Sequence, residues 1–294
     1  MRISANGIAL EVEDHGPANG EPLLLIMGLG MQLVAWHEDF VASLVRRGFR
    51  VIRFDNRDIG LSQHFDQLGV PNLVADSFRF AFGLPVASPY SIADMAADTA
   101  GLLDVLGIAS AHVCGASMGG MVAQHLAARH AGRVKSLTLM MTTSGARRLP
   151  GPSLKVRAAM VSRPADTGAE AGIVEHLIGI HRLIGSPAYL ATDAYLRERL
   201  TMSTRRSYHP QGSARQLVAI AADGDRTPLL GRITAPTQVI HGQADPLVPV
   251  AAAHDLVAKI AGARLDVIEG MGHDLPVLLW PRFVEGIAGA AGRA

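Results

Sequence analysis

A chain of 294 residues that is 49% hydrophobic with a formal net charge of +1 can bury the core of one large α/β domain with an insertion, or of two small domains. No run of one sign is long enough to suggest a nucleic-acid or membrane-surface partner, and Met1 to Gly7 lack the apolar stretch of a signal peptide. The longest early apolar run, Leu23 to Met27, is a strand length and far short of a spanning helix, while a lone cysteine excludes an internal disulfide and fits a reducing, cytoplasmic compartment.

Arg2 to Val12 alternates apolar and polar residues about Asn6-Gly7, the pattern of a hairpin. Gly16 to Gly20 is a loop, and Leu23 to Met27 a fully buried strand ending at Gly28-Leu29-Gly30, where glycines let a backbone approach a ligand closely. A helix is expected from about Trp36 to Arg47, closed by Gly48. Phe49 to Phe54 is the next strand, and Asp55 to Ser62 the loop after it. Gln63 to Pro89 is punctuated by Pro71, Pro85 and Pro89, with a short helix around Ser77 to Phe82. Ser91-Ile92-Ala93-Asp94 resembles a capping box and opens a helix to about Leu106. A strand through Ala111 to Cys114, a helix ending near Gly132 and a strand from Val134 to Met141 follow. Strands alternating with helices of this length imply parallel pairing with helices on both faces.

The alternation stops at Ser144 and resumes near Arg232. Leu154 to Ser162, Ile173 to Leu183 and Ala188 to Met202 read as amphipathic helices, so residues 144–232 are expected to form an all-helical cap on a core built from 1–143 and 233–294. The sheet then continues with Thr237 to His241, a helix from Ala251 to Ile260, the strand Arg264 to Ile268 and a closing helix around Arg282 to Ala288.

Between the strand at Ala111 and the helix at Met121 stands Cys114-Gly115-Ala116-Ser117-Met118-Gly119-Gly120. Gly-x-Ser-x-Gly in a strand-to-helix setting is the nucleophile elbow, a sharp turn with small neighbours that lifts the serine Oγ clear of the sheet. Serine is a poor nucleophile at neutral pH and needs a base, itself oriented by a carboxylate. Asp245 follows the strand at 237–241, and His273 sits in the glycine-flanked loop after 264–268; in a parallel sheet these loops emerge at one edge. Asp245 is also a good turn cap before Pro246, which leaves Asp225 and Asp274 as replacement acids. His241, His125 and His254 read as structural or surface residues, Cys114 as a small buried strand residue, and Arg57 and Asp58 as holding their own loop. No grouping in the sequence has metal-ligand spacing, and Gly28-Leu29-Gly30 lacks the third glycine of a dinucleotide site; neither metal nor cofactor is expected.

The order Ser, Asp, His, with the Asp55-Asn56-Arg57-Asp58-Ile59-Gly60-Leu61-Ser62 loop, resembles the α/β-hydrolase-fold serine hydrolases, although Asp58 stands where glycine is usual. Leu25 to Gly30, Gly115 to Gly120 and Gly270 to Pro276 are most similar to small-molecule esterases of the aclacinomycin methylesterase type. The resemblance implies Ser117 as nucleophile, His273 as base and then acid, Asp245 as its orienting partner, and the backbone N–H groups of Leu29 and Met118 as oxyanion hole. It implies a small-molecule ester as substrate, with an enol-lactone or a carbon–carbon bond open to the same triad. Met160, Leu177, Ile178, Ile180, Leu183 and Ile184 of the insertion point to a partly apolar pocket. A receptor-like protein that binds without turnover is the rival of another class.

Overall fold

Asn6 and Gly7, at φ +50° and +77°, make the left-handed pair that a two-residue hairpin turn requires. They join β1 (Arg2–Ala5) to β2 (Ile8–His15), three residues longer than the alternation to Val12 suggested. The computed structural model, which describes residues 1–164, 166 and 168–294, continues with β3 (Glu21–Ile26), β4 (Phe49–Phe54), β5 (Ala111–Ala116), β6 (Val134–Met140), β7 (Thr237–Gly242) and β8 (Arg264–Ile268). The strands lie in the order β1-β2-β4-β3-β5-β6-β7-β8. The two pairings of β2 are antiparallel and all others parallel, so β3 to β8 end at one edge.

Alternate residues of β3 enter opposite layers, because successive strand side chains point to opposite faces. Leu23 and Leu25 pack with α1 (Glu38–Arg46) and with Phe283 and Ile287 of the last helix; Leu24 and Ile26 pack with the helices after β4 and β5. Neither face of the central strands is left polar, which is the signature of a parallel sheet covered on both sides. Trp36 lies outside α1, in contrast to the expected start. His37 takes the N-cap, its Nδ1 accepting from the Asp39 N–H at 3.1 Å, and Trp36 is buried beneath it.

The segment 63–89 contains α2 (Leu73–Ala81), earlier and longer than the short helix expected at Ser77. α3 (Ile92–Val105) opens on a capping box in which Ser91 Oγ accepts from the Asp94 N–H at 3.0 Å and Asp94 Oδ2 accepts from the Ser91 N–H at 2.7 Å. α4 (Met118–Arg129) follows β5. Between β6 and β7 stand α5 (Leu154–Val161), α6 (Glu170–Ile184), α7 (Asp193–Arg206), α8 (Pro210–Asp223) and α9 (Thr227–Leu230), with no strand among the described residues. α10 (Ala251–Lys259) and α11 (Trp280–Ala291) complete the layers.

Two expectations for the insertion need correction. The helix read from Ala188 starts only at Asp193, because Thr192 Oγ1 accepts from the Tyr195 N–H at 3.2 Å and caps it. Ile178, counted among pocket residues, packs with Val174 and Leu196 in a small cluster joining α6 and α7. α8 carries no clear periodic signal in Pro210 to Ser213, yet it reaches the main core through Ala219.

A buried ion pair anchors α8. Asp58 has φ +72°, and its carboxylate accepts from Nε and Nη2 of Arg215, both at 2.7 Å, from Tyr90 Oη at 2.9 Å and from the Phe65 N–H at 2.9 Å. Burial works to raise this carboxyl, but the Arg215 bonds with those of Phe65 and Tyr90 outweigh it and hold it below the ordinary carboxylate range. Asp58→Gly relieves the left-handed backbone but leaves the buried Arg215 guanidinium only its bonds to Asp66 and the Gly69 carbonyl, and is expected to destabilise the fold by about 3 kcal/mol in chemical denaturation; adding Arg215→Met is expected to restore part of that loss.

Acid sensitivity has a further source. Burial holds the imidazoles of His112 and His241 below the usual histidine range. Both stay neutral in the folded chain but bind protons in the unfolded chain below about pH 6.5, so their contribution is full above that pH and is lost as pH falls toward the folded values. The thermal midpoint is expected to drop between about pH 7 and pH 5, and His112→Asn to flatten that slope.

Candidate active site

Ser117 closes β5 and precedes α4 at φ +54°, ψ −119°, a left-handed conformation that a non-glycine residue holds only where its surroundings enforce it. Those surroundings are specific. The Ser117 N–H donates to the Met140 carbonyl at 2.9 Å, and its own carbonyl accepts from the Gly120 N–H at 2.9 Å and from Thr142 Oγ1 at 2.7 Å. A Cβ on Gly115 would lie 2.3 Å from the Gly119 carbonyl oxygen, and one on Gly119 would lie 2.1 Å from that of Ile26. Neither position tolerates a side chain, which is the physical content of the glycine spacing.

The loops after β7 and β8 meet at this serine. His273 Nε2 is 3.0 Å from Ser117 Oγ, and His273 Nδ1 is 2.7 Å from Asp245 Oδ2. The other Asp245 oxygen accepts from the N–H groups of Leu247 and Val248 at 2.9 and 2.8 Å, so the carboxylate caps its turn and faces the imidazole at once. The replacement acids stand elsewhere: Asp225 is exposed and accepts from the Thr227 N–H at 2.8 Å, and Asp274 accepts from Ser186 Oγ.

On the other side of Ser117 runs the loop after β3. A Cβ on Gly28 would lie 3.1 Å from Ser117 Cβ, which puts the Gly28–Gly30 backbone against the nucleophile position. Among the described residues, neither the Leu29 nor the Met118 N–H donates to a protein acceptor. Gly30, by contrast, donates to Gln216 Oε1 of α8 at 2.9 Å, and Gln32 Nε2 donates to the Ser203 and Ser207 carbonyls, each at 2.7 Å.

The insertion also reaches the histidine loop. The His273 N–H donates to the Ile184 carbonyl at 2.7 Å, the Gly272 N–H to Ser186 Oγ at 2.9 Å, and the Ala188 N–H to the Gly270 carbonyl at 3.1 Å. Sequence reasoning missed Thr142, Ser186 and Gln216, and no local signal marks them, since each acts through a contact distant along the chain.

The remaining candidates have structural roles. His241 is fully buried, with Nε2 2.7 Å from the Val248 carbonyl; His125 pairs with Asp223 at 2.8 Å; His254 is exposed. Cys114 is buried and desolvation pushes its thiol upward. Arg57 holds Asp98 through Nε and Nη2 at 2.6 and 2.7 Å. His64, Asp66 and His209 bring candidate ligand atoms within 4.8 Å of one another, a juxtaposition that their sequence separation hid. Their imidazoles are stacked at 3.8 Å and 5°, so the in-plane lone pairs run side by side instead of converging on one ion, and Arg215 donates to Asp66 at 2.9 Å.

A family profile described as alpha/beta hydrolase fold matches residues 21–172. The chain is 29% identical to a rhodomycin D methylesterase of Streptomyces peucetius, over 94% of this chain and 92% of that protein. It is 26% identical to a 3-oxoadipate enol-lactonase of Acinetobacter baylyi, over 91% and 87% of the two chains. The crystal structure of the enol-lactonase from Burkholderia xenovorans LB400 superposes with a TM-score of 0.75 at 24% identity, covering 99% of this chain and 100% of that one. Profile, topology and full-length relatives agree, and the chain belongs to the α/β-hydrolase-fold family.

Proposed function

We propose that this protein hydrolyses a carboxylic ester of a small, partly apolar molecule by acyl transfer through Ser117. The observation that carries the reading is the unbroken line from Ser117 Oγ through His273 to Asp245, with links of 3.0 and 2.7 Å. His273 Nε2 takes the serine proton as Oγ attacks the carbonyl carbon, while Asp245 holds the imidazole in the tautomer that can accept it. The N–H groups of Leu29 and Met118, flanking the serine and free of acceptors among the described residues, receive the developing oxyanion. The alcohol leaves with the proton from His273, and a water deprotonated by the same nitrogen frees the acid. Residues 144–232 act as the cap over a core of 1–143 and 233–294, and they supply the substrate-facing surface.

Methylesterase relatives support the ester assignment. A 3-oxoadipate enol-lactonase and a 2-hydroxy-6-oxononadienedioate/2-hydroxy-6-oxononatrienedioate hydrolase among the relatives support lactone or carbon–carbon cleavage by the same three residues as the second reading. No helix among the described residues is long and apolar enough to cross a membrane, and the lone buried thiol supports a cytoplasmic setting.

Incubation with a fluorophosphonate is expected to add one mass increment at Ser117, and Ser117→Ala to lose both the adduct and p-nitrophenyl ester turnover; a folded wild type with neither would overturn the hydrolase reading. Asp245→Asn is expected to lower kcat on the order of 10³–10⁴ by favouring the wrong tautomer, as read from steady-state kinetics. Gly119→Ala drives a Cβ into the backbone at the end of β3; the variant is expected to lose thermal stability and turnover together, as read from its melting midpoint and steady-state kinetics.

A further inference from the structure

α2 is a helix without a core. None of its nine residues is buried, although it follows a loop tied into the site's scaffold. Val74, Phe78 and Phe82 recur every fourth residue and are 69%, 62% and 77% exposed, so they form one outward stripe. Phe80, turned to the opposite side of the helix, and Leu84 beyond its end are each 57% exposed as well. Apolar side chains clustered at such exposure on a folded protein mark an interaction surface.

What lies beside the stripe names its occupant. The C-terminal end of α2 abuts the start of the insertion: Arg147 Nη2 donates to the Gly83 carbonyl at 3.4 Å, and a Cβ on Gly83 would be 2.6 Å from Arg147 Nη1. Residues 144–164 hold Arg147, Arg148, Lys155, Arg157 and Arg163 and no carboxylate, and Leu154 among them is 82% exposed. Arg148 pairs with Asp255 at 2.8 Å; the other four cations have no carboxylate partner among the described residues. The chain has 27 basic and 26 acidic residues, so removing these five cations leaves 22 against 26 on the rest, a net charge of −4. The segment thus carries five positive charges in a chain of net charge +1, and it meets the helix that bears the exposed phenylalanines at Arg147. On α2 itself the one carboxylate, Asp76, is matched by Arg79.

We propose that α2 and the basic segment 144–164 seat the protein on an anionic lipid surface. Phenylalanines on a short amphipathic helix enter the boundary between headgroups and acyl chains, while arginine and lysine meet the phosphates. A second copy fits this face poorly, because a two-fold contact would set the basic segment against itself. Seated this way, the protein takes its substrate at the lipid boundary, where apolar esters concentrate.

Co-sedimentation with vesicles tests this on the whole chain. Wild type is expected to pellet with phosphatidylcholine vesicles containing one part in three phosphatidylglycerol, to stay in solution with phosphatidylcholine alone, and to be released by high salt. Arg147→Glu/Lys155→Glu/Arg157→Glu and Phe78→Ser/Phe82→Ser are each expected to weaken partitioning at least about tenfold, given roughly fivefold per cation at the surface. Both variants should retain the wild-type circular-dichroism spectrum and a cooperative thermal transition, which establishes that they fold. The proposal fails if wild type ignores anionic vesicles or binds both compositions alike, or if only one of the two variants is released. It also fails if the phenylalanine stripe proves to hold a concentration-dependent dimer, or an acidic protein in place of lipid.

Discussion

The Gly119 backbone lies so close to the end of β3 that a Cβ there would sit 2.1 Å from the Ile26 carbonyl oxygen, and much of the molecule depends on this approach. It allows α4 to leave β5 immediately after Ser117, and it brings the loop at Gly28 against the serine. The left-handed backbone of Ser117 is strained for any residue but glycine. Bonds from Met140, Gly120 and Thr142 hold it, so the adjacent strand β6 participates in a turn that belongs to β5. The hydrophobic layers on both faces of the sheet make this turn rigid, because neither β3 nor β5 can shift without disturbing a fully buried strand.

The second constraint is that the insertion is not an accessory laid over a finished site. Gln216 of α8 bonds the Gly30 N–H, and Ile184, Ser186 and Ala188 form a ladder with Gly270 to His273. The loops on both sides of Ser117 are thus held partly by the core and partly by the insertion. The Asp58–Arg215 pair has the same character. An aspartate at a left-handed position is locally unfavourable, and its compensation is a guanidinium from α8, 157 residues away in sequence. The departure from glycine in the Asp55–Ser62 loop thereby finds its reason outside that loop.

Much of the fold was legible because its signals are local. The Asn6-Gly7 turn, the Ser91–Asp94 capping box, the unbroken apolar strands and the Gly115–Gly119 spacing each express short-range sterics or hydrogen bonding, and each element stands where those signals put it. The errors fell where the local signal competes with a distant one. Trp36 reads as helical but is drawn into the core ahead of the helix that His37 caps; Ala188 reads as helical but pairs with Gly270. α8 was missed because its buried face mixes Val218 and Ala219 with polar residues, Gln216 and Arg215 being aimed at partners in the first sixty residues.

The sequence by itself determined the class of the chain: a parallel sheet with helices on both faces, an elbow serine, and an acid and a histidine in loops that share one sheet edge. These follow from periodicity, glycine placement and strand direction, which need no knowledge of distant neighbours. Position after a strand end favoured Asp245 among the candidate acids, but the sequence kept Asp225 and Asp274 open; the folded loops bring Asp245 to His273 and carry the other two elsewhere. Tertiary structure alone decided which residues of the insertion support the site. It alone brought the basic segment to the end of α2, because Arg147 meets the Gly83 carbonyl only in the folded chain.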